Sequence, residues 1–377
     1  MTNIKKIKDI PLSLNGVLLA TLALSGIITY LLDKVDPNSE AIRWSIVGFL
    51  LVTLFLATFY VILISTKIIG FPNQTKKDFL NPKLSGLIGI FLIALNSFGN
   101  VVCNLINHLN LANQTALYLC ILPVSISLLA LILQIVYTLC FFIKIVTKHR
   151  LFKKETEAYG SFLIPFVGFG IGGCYCVNFH FLIPVLIYQI VWLFAIVSFF
   201  SFGIYSMFKI VIKGNQDKNL LTSQAIVASP TNVVGSAFLI CFNPDNTKYL
   251  TNPLFFKIFS SILLTIGIIT IIFYFVVWYR LSKNQVNKLT LASFGFPLAI
   301  FINHLLLFNF TFIYPEAKLF VLFIILLVLE IALTLFLIGI VIYLNYIHIR
   351  YINHLFKDNK DALENNYTIN KYKVINN

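Results

Sequence analysis

Acidic side chains are scarce in this chain. Its 377 residues include only 14 Asp and Glu against 28 Lys and Arg. Charged residues of either sign make up 11%, where soluble domains average about 25%. With 59% hydrophobic residues and a mean hydropathy of +0.89, there is too little polar surface to cover a water-soluble core. Segments of alternating polarity are also missing, which excludes the pattern of a transmembrane β-barrel. Neither an HExxH nor a GxSxG motif occurs, so the sequence offers no protease or hydrolase centre; neither enzymatic activity nor a cofactor is expected. The six cysteines, at 103, 120, 140, 174, 176 and 241, fall in or beside apolar runs. Cys174-x-Cys176 has neither the spacing nor the partners of a zinc or redox motif, and all six read as small packing hydrophobes.

Long apolar runs are what the chain has in abundance. A bilayer core takes about 20 apolar residues wound as a helix, because lipid offers backbone groups no other partner. Ten such runs can be bracketed, at 10–32, 44–69, 84–106, 114–145, 159–180, 183–212, 223–241, 251–279, 289–310 and 318–349. The first continues to Leu32, longer than the h-region of about 7–15 residues in a signal peptide, and reads as a retained helix. Residues 1–349 then form one transmembrane domain of ten helices, followed by a tail at 350–377 expected to be partly disordered.

Positive charge orients the spans. All Lys and Arg except Lys34, Arg43, Lys248, Lys257 and Lys318 lie at the N-terminus, after an even-numbered span, or in the tail. Positive loops stay cytoplasmic, so both termini are expected inside a multi-pass protein of the plasma membrane. The net charge of +14 is then an orientation signal that also attracts anionic lipid, and no nucleic-acid partner is needed to explain it.

The odd and even spans differ in kind. Pro11, Pro82, Pro165, Pro230 and Pro297 recur near the cytoplasmic ends of the odd spans, once per helical hairpin. Proline is tolerated in any first helical turn, but five in register favour a repeated unit. The odd spans also carry small and polar residues, among them Asn15, Asn96, Gly168, Asn232 and His304, while the even spans are mostly Leu, Ile, Val and Phe. Lipid-facing helices are uniformly apolar, and polar or small residues belong to packed or cavity-lining faces. Five inner helices around an axis, covered by five outer ones, satisfy both patterns. No charged residue lies within an odd span as bracketed, so a pathway there would be neutral and suited to passive conduction.

The segments IPLSLNGVLLATLAL (10–24), NPKLSGLIGIF (81–91), FLIPFVGFGIGG (162–173), ASPTNVVGSAF (228–238) and ASFGFPLAIF (292–301) each open an odd span. Through them the chain resembles the tellurite-resistance/dicarboxylate transporter family, which includes the plant slow anion channel. The resemblance implies five helical hairpins with quasi-fivefold symmetry around a central pore, a homotrimer with one pore per protomer, and passage of small inorganic anions or dicarboxylates. It places a pore gate on Phe296, the aromatic residue before Pro297. The chain departs from the family at Asn81-Pro82, where the third helix often opens on His-Pro.

Phe166, Phe169, Phe238 and Phe294 are candidates to line the pore, with simple packing as the alternative. Glu330 is the one carboxylate deep in a span. It is read as a structural hydrogen-bonding group or, in the alternative of a proton-coupled dicarboxylate carrier, as the coupling site. His180 and His304 are placed near outward helix ends and assigned no chemistry or metal. A fluorescent protein fused after Asn377 is expected to fluoresce, since such fusions mature only on the cytoplasmic side, and an alkaline phosphatase fused there is expected to be inactive.

Overall fold

Four of the helices begin where an Asn or Ser side chain takes up a free N–H group. Ser39 Oγ accepts from Ile42 N–H, Asn81 Oδ1 from Lys83 N–H, Asn252 Oδ1 from Leu254 N–H, and Asn287 Oδ1 from Leu289 N–H. Pro82 and Pro253 follow in the first turn, where a missing N–H costs nothing. The computed structural model describes residues 6–147, 159–179, 182–213, 218–244, 252–283 and 286–356. Apart from short connections these are helical, with no strand among them. The helices are α1 (Leu14–Val35), α2 (Glu40–Gly70), the short α3 (Pro72–Leu80), α4 (Pro82–His108), α5 (Asn113–Val146), α6 (Gly160–Tyr175), α7 (Val185–Val211), α8 (Leu221–Cys241), α9 (Pro253–Ser282), α10 (Lys288–Ile313) and α11 (Ala317–Phe356).

Among the described residues nine helices are long and apolar enough to cross a membrane, where the sequence led us to expect ten. The exception is α6, the fifth expected span, which is shorter. It is wound largely as 3₁₀ turns, from Gly160 to Phe162 and again from Gly168 to Tyr175. A 3₁₀ helix rises about 2.0 Å per residue against 1.5 Å for an α-helix, so α6 covers more distance than its length suggests. Four residues, Cys176–Phe179, continue it as a single α turn. At the other end of the chain, α11 runs on to Phe356, past the expected limit at 349. The remainder of the tail and His180 lie outside the described residues.

Burial separates two sets of helices. In their most apolar stretches α1, α4, α8 and α10 are 72%, 67%, 94% and 67% buried, while α2, α5, α7, α9 and α11 are 33%, 39%, 39%, 44% and 22% buried. The second set exposes large side chains such as Phe55, Leu122, Phe194, Ile269 and Val321, a surface suited to lipid and not to water. The short α6 belongs with the first set, for Phe162, Phe166 and Phe169 on it are all buried.

The buried helices carry the prolines. Pro165, Pro230 and Pro297 sit just past a change from 3₁₀ to α winding, at Leu163, Ser229 and Gly295. Pro11 precedes α1, and Pro82 opens α4. Near each proline an outer helix donates a hydrogen bond to a backbone carbonyl. Lys67 Nζ reaches Ile10 O at 2.6 Å, Tyr137 Oη reaches Ser85 O at 2.6 Å, and Thr138 Oγ1 reaches Pro165 O at 2.8 Å. Trp192 Nε1 reaches Val234 O at 2.9 Å, and Tyr274 Oη reaches Phe294 O at 3.1 Å. Proline removes a helical donor, and in hydrocarbon no water supplies another; the outer set adds one donor within a few residues of each proline. The Lys67 ammonium is balanced by Asp78 at 3.3 Å, on α3.

Losing one such hydrogen bond costs about 0.5–1.5 kcal/mol. Tyr274→Phe and Trp192→Phe are therefore each expected to lower the thermal midpoint of the purified protein by several degrees, read by fluorescence-detected unfolding. A Tyr→Phe change at the exposed Tyr279 is the control and should leave it unmoved.

Candidate functional site

A cavity of about 640 Å³ lies where the inner helices begin. It is lined by residues at or near the start of α1 (Ser13, Gly16, Leu19), by α4, α6, α8 and α10, and among the described residues by nothing from the outer set. Hydroxyl and amide groups line it near the helix starts, at Ser13, Asn81, Ser161, Thr222 and Thr290. Further along the same helices the lining turns apolar, at Leu19, Ile93, Val167 and Val233. Lys83 is the one charged side chain among the described lining residues, and no carboxylate is present there. At about 30 Å³ per water, the space holds several waters or a hydrated small anion.

Phe296 and Pro297 both line this cavity. Their place is set by close packing of α10 on α1. A Cβ on Gly295 would stand 2.5 Å from Ala20 Cβ, and one on Gly16 would stand 2.9 Å from Ala292 O. The two helices can meet only because glycine faces the partner at both levels, and that contact holds the Phe296 backbone at the cavity wall. Phe296 itself is half-buried, with no ring contact to another described aromatic residue.

The other candidate aromatics are held elsewhere. Phe294 stacks edge-on against Tyr274 and Trp278, at 5.1 and 5.0 Å between ring centres. Phe166 packs on Phe141 and Phe202, and Phe238 sits among Trp192, Phe242, Phe256 and Phe259. Phe169 is buried in the same core. None of the four lines the cavity. Of the five prolines, Pro230 and Pro297 line it, whereas Pro11, Pro82 and Pro165 do not.

Helices long enough to cross a membrane, an inner set opened by prolines, and one cavity shared by all five inner helices are now in view. The family model described as voltage-dependent anion channel matches residues 9–349. The chain belongs to the SLAC1 family. This is the family that the five proline segments resemble, and it makes the chain a multi-pass membrane protein of the anion channel and transporter class. No curated protein matches it.

In this SLAC1-family chain the remaining polar candidates stand away from the cavity. Glu330 is fully buried on α11, where Asn309 Nδ2 donates to its Oε2 at 3.3 Å and its Oε1 has no partner among the described residues. Asn309 belongs to α10, so Glu330 faces inward from an outer helix without reaching the cavity lining. His304 corrects the sequence reading. It is not near an outward helix end but fully buried within α10, with Nδ1 2.9 Å from Asn232 Oδ1 on α8. Asn232 Nδ2 donates in turn to Ala228 O at 2.6 Å, so its Oδ1 is the acceptor and His304 Nδ1 carries the proton. Sequence reasoning also passed over Lys83 and Ser161 as cavity residues. Lys83 counted there only as an orientation charge, and its place one residue after Pro82 was the available signal.

Gly295→Ala is expected to push α10 off α1, lowering the thermal midpoint and the activity together. Ala20→Gly in the same chain should restore most of both, because it removes the atom that the new Cβ would strike. The coupling between the two changes is read by a double-mutant cycle.

Proposed function

We propose that the protein is an anion channel or facilitative anion transporter whose pathway runs along the axis of α1, α4, α6, α8 and α10. The observation that carries this reading is the single cavity shared by all five inner segments, with Phe296 in its wall. On this reading α6 also crosses the membrane, giving ten spans in five hairpins of quasi-fivefold arrangement around the pore. The cavity opens toward the cytoplasm, the side that the lysine-rich loops assign to the starts of the inner helices. Both termini lie on that side, in the plasma membrane, and anionic lipid meets the basic loops. The resemblance extends the proposal to a homotrimer with one pore in each protomer.

The proposed selectivity is electrostatic at the mouth and steric further in. Lys83 and the surrounding hydroxyl groups favour anions in the wide, wet part of the pathway. The Phe296 ring, free of aromatic neighbours, closes the apolar part by excluding water, as a hydrophobic constriction does. No carboxylate is found among the described lining residues, and Glu330 stands off the cavity. Both observations favour uncoupled flow over the alternative of a proton-coupled dicarboxylate carrier, in which Glu330 would have to exchange protons with the pathway.

Planar-bilayer recording tests the proposal. Phe296→Ala is expected to raise chloride or nitrate current at least tenfold over the wild type, with reversal at the anion equilibrium potential. Adding Lys83→Gln to that variant should reduce inward-leaflet anion entry severalfold and weaken its dependence on ionic strength. Malate flux that collapses when a pH gradient is removed, and that is lost in Glu330→Gln, would overturn uncoupled conduction in favour of the carrier.

A further inference from the structure

Four cysteines meet at the end of the bundle away from the cavity. Cys103 of α4, Cys120 of α5, Cys176 of the turn after α6, and Cys241, the last residue of α8, are all buried in one small cluster with Val124, Phe179 and Tyr188. All six cysteines of the chain are free thiols in this structure. Within the cluster, Cys241 Sγ lies 3.6 Å from Cys176 Sγ and 3.2 Å from Gly173 O. The sequence reading gave Cys174-x-Cys176 no partner; the fold brings one to Cys176 from 65 residues away. Among the described residues no group of three or more His, Cys, Asp or Glu stands close enough to hold a metal ion, so this is a two-thiol site and not a soft-metal centre.

We propose that Cys176 and Cys241 form a modification site, a dithiol placed to close into a disulfide that joins α6 to α8. Two sulfurs in van der Waals contact need approach by only about 1.5 Å to reach the S–S bond length of about 2.05 Å. The oxidant is a small external disulfide. One thiol loses its proton and attacks a sulfur of the oxidant, releasing the first thiol product and leaving a mixed disulfide. The second protein thiol then displaces the remaining half. Two S–H bonds are broken in the protein and one S–S bond forms, while two electrons and two protons leave with the oxidant as two small thiols.

The site lies where such a bond would matter. α6 is the shortest of the inner segments and carries a run of glycines, and a Cβ on Gly173 would meet Ala237 Cβ at 2.9 Å and Cys241 Sγ at 3.0 Å. Its hold on α8 is therefore close but built from small groups. A link from Cys176 to Cys241 encloses α7 and α8 in one covalent loop, and long loops gain most from cross-linking. The end that carries the pair is the outward one under the orientation proposed above, where disulfides persist; the proposal rests on that orientation.

The test uses the full-length chain, expressed in a cell with an oxidising envelope and purified without reductant, then divided with and without exposure to oxidised glutathione. Denaturation, alkylation with iodoacetamide and intact-mass measurement count the free thiols. Four alkylated cysteines in place of six, with the Cys176 and Cys241 peptides joined in a non-reducing map, is the expected result in at least the exposed sample. Cys176→Ser and Cys241→Ser should each leave every remaining cysteine alkylated. The oxidised protein should melt several degrees higher than the reduced one, a difference absent from Cys241→Ser. Six alkylated cysteines in both samples would overturn the proposal, as would a link confined to Cys103 and Cys120 or one between chains. Orientation is read separately by the fusion after Asn377: a fluorescent fusion with a fully reduced pair sinks the disulfide alone, and a silent one sinks the orientation.

Discussion

Hydrogen-bond supply in a medium without water is the constraint on which this structure depends. Three inner segments change from 3₁₀ to α winding beside a proline and two open next to one, all in a medium that cannot solvate backbone polar groups. Lys67, Tyr137, Thr138, Trp192 and Tyr274 answer it from the outer helices, each delivering one donor to a carbonyl within a few residues of a proline. The outer set is thus more than a lipid-facing coat. It also braces the irregular inner set, whose starts line the cavity. Each such bond is worth about 0.5–1.5 kcal/mol net.

Polarity is arranged along the same axis. The inner helices present hydroxyls, an amide and Lys83 where they begin, then Leu, Ile and Val further in, with Phe296 in the wall. Several other buried polar groups are turned sideways between helices. Asn15 Nδ2 reaches Leu87 O at 2.8 Å, Asn345 joins Tyr60 to Thr21, and His304 joins α10 to Asn232 on α8. These contacts act as glue between helices, as amides and hydroxyls commonly do in membrane bundles. A polar residue on an inner helix is therefore ambiguous by itself: Ser161 lines the cavity, while Asn232 braces a neighbour.

That ambiguity explains which candidates came through and which did not. The prolines were legible because ring chemistry acts locally, and the five of them marked the inner segments correctly. The aromatic candidates were not, because Phe166, Phe238, Phe294 and Phe296 occupy similar apolar contexts in sequence. Their separation depends on which face of a tightly wound, partly 3₁₀ helix each one meets, and 3₁₀ winding shifts the angular position of every later side chain. The cysteines failed for a related reason. Spacing along the chain tests only local pairs, and Cys176 finds Cys241 through the packing of α6 on α8. The fifth span falls where the apolar run placed it, but its largely 3₁₀ winding has no signature in a run of apolar residues.

Composition, apolar run length and proline placement by themselves determined that this is a helical membrane protein and which segments form its inner set, and the five proline segments carried the resemblance to its family. They suffice because lipid imposes the same demand on every residue that enters it: bury or bond each backbone group and keep charge out. Only the tertiary structure decided that the five inner segments share one cavity, that Lys83 and Phe296 line it while Glu330 and His304 do not, and that two thiols meet at its far end. Those facts depend on the rotation of each helix about its axis and on close approaches such as Gly295 against Ala20. Both are fixed by contacts between residues far apart in the chain, which one-dimensional patterns do not encode.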